Sequence, residues 1–387
     1  MSTPTPLRAA SLDELRQRSS TKWRSYPDDV IPLFVAETDY PLAPAITAAL
    51  RRAVELGDTG YTPPDPGLKA GFTAFAARRF GWSVDPAGIR STCDVMMGVV
   101  ELLRTGIAPG DRVVITPPVY PPFFDCVPEA GGVALQVPLL DTGDGWELDL
   151  HGIDRAFASG ARGILISNPH NPTGTTHTRE TLTALAESAE RHGAFVLSDE
   201  IHGPLALPGE TYTPFLSVSQ AAERVGFAVT SASKAFNLAG LKCALMVGAS
   251  PERIATIRGL PAEVEWRTGL FGALASVAAF AEESDEWLDA EIAAIAESHR
   301  LLAELLATHV PEARYRVPQA GYLAWVDLRA YDWGDDPAVT LRRRARVAPH
   351  HGPFFGAEGR GFARFNVACA PDVLTEAIER VGALARA

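Results

Sequence analysis

Between residues 98 and 250 the chain alternates short apolar runs with segments of helical spacing, and few architectures accept that order. The runs are 112–117 (RVVITP), 131–139 (GGVALQVPL), 162–169 (RGILISNP), 194–201 (AFVLSDEI), 226–233 (GFAVTSAS) and 244–250 (ALMVGAS). Helical patterns at 98–108 and 178–192 lie among them, and two more, at 43–56 and 67–80, come earlier. Apolar strands separated by amphipathic helices predict an α/β sheet, mostly parallel and covered on both faces. In such sheets the loops at the carboxyl ends of the strands bind ligands. The alternation stops in a helix-rich stretch from about 270 to 310. Strands at 322–330 and 361–369 and a helix at 372–386 then read as a small α+β domain joined by a long helix. Upstream, residues 11–30 read as a short helix followed by an irregular arm, and 31–36 as an apolar run ending in a turn.

Charge and cysteine usage exclude several functions. The formal net charge of -12 argues against a nucleic-acid partner, since phosphate binding draws on excess Lys and Arg. One basic run, Arg342-Arg343-Arg344-Ala345-Arg346, reads as the wet face of a helix. The four cysteines lie far apart and form no CxxC pair, which fits reduced thiols in a cytoplasmic protein. The polar N-terminus has no apolar core of a signal peptide. No stretch reaches the roughly 18 apolar residues of a membrane span. Lysine is scarce: only Lys22, Lys69, Lys234 and Lys242 occur, two of them in one segment.

That segment is Ser231-Ala-Ser233-Lys234-Ala-Phe-Asn-Leu-Ala-Gly240-Leu-Lys242. A lysine just past a strand, bracketed by two hydroxyls, suits a Schiff-base nucleophile. The hydroxyls and Lys242 can hold a phosphate and help lower the Lys234 pKa. Taken alone, an ordinary surface lysine explains it equally well. In Ser198-Asp199-Glu200-Ile201-His202, a carboxylate at a strand end can pair with a protonated pyridine nitrogen and keep that ring an electron sink. Asp there is also a common helix N-cap. Ser167-Asn168-Pro169-His170-Asn171-Pro172-Thr173-Gly174 is at least a strong turn, from which Asn171 can present an amide. Gly98-Val99-Val100 opens a helical pattern, where free N–H groups favour a phosphate.

Together these segments resemble fold-type I pyridoxal-phosphate enzymes of the class I/II aminotransferase superfamily. Within it the chain is similar to the cystathionine β-lyase (PatB/MalY-type C–S lyase) branch. The likeness runs from about residue 20 to 385 and includes 22–41, MGVVELL (97–103), PPVYPPF (117–123), SDEIHGPL (198–205) and FARFNVA (362–368). It implies an aspartate-aminotransferase-like α/β fold: an N-terminal arm (1–42), a large cofactor domain with a seven-stranded sheet (43–283), and a small α+β C-terminal domain (284–387). It implies pyridoxal 5'-phosphate bound to Lys234, with Asp199 on the pyridinium and Tyr120 stacked on the ring. Asn171 and His202 would hold the ring-oxygen side. The Val99 and Val100 amides, Ser231, Ser233 and Lys242 would hold the phosphate, joined by Tyr61 from the second subunit of a homodimer. Arg364 would clamp the α-carboxylate of an amino-acid substrate, with Ala36 alongside.

The implied reaction is α,β-elimination from cystathionine or another S-substituted cysteine, giving thiol, pyruvate and ammonia. The alternative is an aminotransferase, or a specialised enzyme acting on a bulky cysteine conjugate. Phe34, Thr38, the segment 263–272 and the loop 348–356 depart from the branch, and they fall where the substrate side chain would lie. Adjacent His350 and His351 diverge on most backbones, so no metal site is expected from them.

Overall fold

The computed structural model describes residues 7–386, so the first six residues of the expected arm lie outside the described residues. β1 (Ile31–Leu33) precedes the alternating region, which opens with β2 (Ile89–Thr92), β3 (Arg112–Ile115) and β4 (Val133–Gln136). A ribbon of β5 (Leu140–Asp141) and β6 (Trp146–Glu147) follows. Then come β7 (Gly163–Ser167), β8 (Phe195–Asp199), β9 (Gly226–Thr230) and β10 (Ala244–Val247). After the long helix Asp285–His309 lie β11 (Arg314–Tyr315), β12 (Leu323–Asp327), β13 (Val347–His351) and β14 (Phe362–Asn366).

The larger sheet has seven strands in the order β2-β10-β9-β8-β7-β3-β4. All its pairings from β9 to β4 are parallel, and β10 runs antiparallel to both of its neighbours. β7, β8 and β9 are buried along their whole length, as strands covered on both faces must be. Their residues alternate between two separate cores. Ile164, Ile166, Val196 and Ala228 face one, while Leu165, Leu197, Phe227 and Val229 face the other.

The smaller sheet runs β1-β13-β14-β12-β11. β1 enters it parallel to β13, with Ile31 opposite Val347, so the N-terminal arm is stitched into the C-terminal sheet. Part of the arm read as irregular is a helical turn, Thr21–Arg24. That turn buries Lys22, whose ammonium meets Asp39 at 2.8 Å with both side chains out of solvent. Removing one partner of such a pair typically costs about 3–5 kcal/mol, because the other charge is left buried. The basic run at 342–346 forms a wide helical turn with Arg343 and Arg344 exposed. No helix among the described residues is long and apolar enough to cross a membrane.

Candidate active site

Register along the larger sheet sets the site. Ser167, at the end of β7, is level with Asp199, at the end of β8, and Asp199 is level with Val229 of β9. The three following loops, carrying Asn171, His202 and Lys234, therefore leave the sheet side by side. Above them a cavity of about 470 Å³ opens between the two sheets. It is lined by Asp199, Lys234, Tyr120, Asn171, His202, Ser233 and Lys242 from the large sheet's side, and by Arg364, His350 and Phe34–Ala36 from the other.

Asp199 is buried, and its Oδ1 accepts from the Ile201 amide at 3.1 Å. Burial pushes this carboxyl up to about 7, and a cation brought against it would favour its ionised form. Its neighbour Glu200 braces the turn from behind. Glu200 accepts from Ser198 Oγ (2.9 Å), Tyr212 Oη (2.6 Å) and the Phe215 amide (2.7 Å). His202 Nδ1 is buried with no hydrogen-bond partner among the described residues, and burial lowers this imidazole to about 3.

Lys234 Nζ donates to the Ala36 carbonyl at 3.1 Å. Burial, and then the nearby Arg364 cation, bring its amine down to about 8, well below an ordinary lysine. Ser233 lines the cavity, whereas Ser231 sits behind it, joined to Ser233 Oγ at 2.7 Å and donating to the Cys243 carbonyl at 2.6 Å. Lys242 adopts a left-handed conformation (φ 61°), and its ammonium reaches Asp94 at 3.2 Å.

Arg364, only 3% exposed, donates through Nη1 to Asn171 Oδ1 at 2.9 Å and through Nη2 to the Phe34 carbonyl at 3.0 Å. The turn that carries Asn171 is pressed onto the loop before β12. Gly174 takes φ +68° there, its carbonyl accepts from the amides of Gln319 and Ala320, and a side chain would collide with the Pro318 ring.

One sequence expectation needs correction. The helix expected to open at Gly98 begins at Val95, with Asp94 as N-cap accepting from the Met97 amide at 2.8 Å. Val99 and Val100 therefore lie beyond the first turn with their side chains buried, and their amides are engaged within the helix. The free N–H groups at this helix start belong to Val95 and Met96, both on the cavity wall. Tyr61 does not enter the cavity of its own chain: it is 96% exposed. The His350 and His351 rings are 6.5 Å apart, and His351 instead meets Asp336 at 2.7 Å.

The family model for aminotransferase class I and II matches residues 28–381. The chain belongs to that family. A Mycobacterium leprae protein, assigned provisionally as a cystathionine beta-lyase, is 40% identical over 402 residues, spanning 98% of both chains. Cystathionine beta-lyase PatB of Bacillus subtilis is 32% identical over 361 residues, spanning 92% of each. Among solved structures, cystalysin from Treponema denticola, which contains pyridoxal 5'-phosphate, superposes with a TM-score of 0.90 at 25% identity. That match covers 100% of this chain and 99% of cystalysin.

Within the family frame the site contains residues that sequence reasoning passed over. Val95 and Met96 had a signal in Asp94, an N-cap residue just before an apolar run. Tyr322 and Asn366 had none: each bonds to main-chain carbonyls near residue 36, 286 and 331 or 329 positions away.

Proposed function

We propose that this chain is a pyridoxal-phosphate-dependent C–S lyase acting on cystathionine or another S-substituted cysteine, releasing thiol, pyruvate and ammonia. The observation that carries the reading is a single cavity gathering a half-buried amine of lowered basicity (Lys234), a buried carboxyl (Asp199) and a buried guanidinium (Arg364). The residues present fit the cofactor. The free amides of Val95 and Met96, with Ser233 and Lys242, suit its phosphate. Asp199 suits the pyridine nitrogen, the unpartnered His202 Nδ1 and the Asn171 amide suit the ring-oxygen side, and Tyr120 suits the ring face.

When bound, pyridoxal phosphate supplies an electron sink for charge that develops at the substrate α-carbon. Arg364 binds the α-carboxylate and fixes the amino acid's orientation. Lys234 Nζ lines the cavity with its basicity lowered to about 8, which suits it to move a proton at the α-carbon near neutral pH. Loss of the thiolate from the β-carbon completes the elimination, and hydrolysis of the remaining fragment gives pyruvate and ammonia. The protein works as a homodimer in the cytoplasm, with Tyr61 reaching the partner's phosphate site. The exposure of Tyr61 and of Trp266 (76%) supports this assembly.

The test is an assay of purified holoenzyme on cystathionine and S-alkyl cysteines, with and without a keto acid. Continuous release of thiol and pyruvate without keto acid supports the lyase. Turnover strictly dependent on the keto acid, with no thiol, makes the protein an aminotransferase.

A further inference from the structure

One cavity residue has no task in the reaction as described. His350 stands opposite Arg364 in the β13–β14 pairing, so both side chains leave the sheet on the same face, and both line the cavity. The imidazole is held edge-on against Phe355 and Phe354, with centroids at 5.0 Å and 5.9 Å. The same Phe355 ring, fully buried, carries the Arg364 guanidinium at 4.9 Å. Ring packing thus holds the imidazole beside the guanidinium. Its Nδ1 makes one long contact, 3.4 Å, with the His351 carbonyl, and its Nε2 has no hydrogen-bond partner among the described residues. Burial and the Arg364 cation push it down to about 3, so the ring is neutral and keeps one donor and one acceptor. The nearby wall is Phe34, Val35 and Ala36, which offers apolar surface and main chain but no competing side-chain donor.

We propose that His350 determines substrate specificity by donating a hydrogen bond to an acceptor on the sulfur substituent, favouring cysteine conjugates whose substituent ends in a carboxylate. The proposal rests on the C–S lyase reading above and names the substrate class of that site. A cationic substituent is disfavoured beside Arg364. A bare alkyl substituent leaves the imidazole desolvated and unpaired, the situation that gives polar pockets their discrimination.

Holoenzyme is assayed on S-carboxymethyl-, S-propyl- and S-(2-aminoethyl)-L-cysteine, which share reach and differ in polarity. His350→Phe, which keeps the ring packing, should lower the carboxymethyl-to-propyl ratio of kcat/KM by about tenfold. His350→Asn, which keeps a donor, should recover much of that ratio. A ratio within about twofold of wild type in His350→Phe overturns the proposal. So does an equal loss on all three substrates, which would make His350 a support for Arg364. Calorimetric binding of the uncleavable carbon isosteres 2-aminoadipate and 2-aminoheptanoate gives a second readout that needs no turnover. If no conjugate releases thiol but His350→Phe still weakens 2-aminoadipate selectively, the lyase reading fails and the specificity role stands. If the isosteres bind both proteins alike, the specificity role fails whatever the reaction.

Discussion

The Lys234 amine and the Tyr322 hydroxyl converge on one atom, the carbonyl oxygen of Ala36, each donating to it at 3.1 Å. The neighbouring carbonyls are held in the same way. Phe34 accepts from Arg364, Val35 and Glu37 from Asn366 Nδ2, and Thr38 from Asn237 Nδ2. Residues 34–38 form a strap whose first three residues line the cavity; it belongs to no strand, so side chains satisfy the main-chain groups that a sheet would otherwise pair. Two of those clamps, Lys234 and Arg364, are the residues proposed to engage cofactor and substrate. The strap and the chemistry thus draw on the same donors.

The lowered basicity of Lys234 sets how fast apoprotein captures the cofactor aldehyde. Only the free amine attacks, and an ordinary lysine near 10.4 would be almost wholly protonated at neutral pH. With the amine at about 8, the rate of capture should climb as pH rises and level off above that value. Stopped-flow absorbance during reconstitution reads this directly. A rate still climbing steeply between pH 9 and about 10 would mean that burial does not depress this lysine as described.

Arg364 should not tolerate lysine. The guanidinium divides its donors between Asn171 and the Phe34 carbonyl while lining the cavity, and an ammonium cannot reproduce that fork. Arg364→Lys is expected to lose about 2–5 kcal/mol of transition-state binding, seen as a fall in kcat/KM. The visible spectrum of the bound cofactor should stay unchanged. Collapse of cofactor affinity with unaltered kinetics would assign Arg364 to the cofactor instead.

Central strands were legible in the sequence because burial on both faces leaves a continuous apolar run, as in Gly163–Ser167 and Gly226–Thr230. β2 (IRST) and β13 (VAPHH) were not, since their polar residues and proline hide the strand signal. Lys234, Asp199, Asn171 and Arg364 could be singled out because each stands in a short, chemically distinctive motif. The strap's partners could not: Tyr322, Asn366 and Asn237 are ordinary in local sequence, and only tertiary packing turns them into clamps. The phosphate-side amides were misplaced because Gly98 drew attention away from Asp94, the residue that starts the helix.

Asn366 gives a stability test of the strap. Its Nδ2 donates to two carbonyls at 2.7 and 2.6 Å, and its Oδ1 accepts from the Ala368 amide at 2.8 Å. Asn366→Asp keeps the shape and the accepted bond but sets a second acceptor against both carbonyls. A loss of about 1–3 kcal/mol in urea unfolding is expected, with faster hydrogen exchange at the amides of the strap. Unchanged exchange there would mean that the strap is held without this residue.

The shared-site assembly can be tested without a structure of the dimer. Tyr61 is 96% exposed and does not line the cavity of its own chain, so the proposed role places it in the site of a second subunit. Lys234→Ala and Tyr61→Ala should then each be nearly inactive alone, by removing different halves of a composite site. After the two are mixed under conditions that exchange subunits, random pairing makes half of the dimers hybrids. Each hybrid carries one site with both defects and one site with neither. Activity should therefore rise to about one quarter of wild type, a figure set by two-fold symmetry alone. If Tyr61 served its own subunit, every site in the mixture would still carry one defect, and exchange would recover nothing.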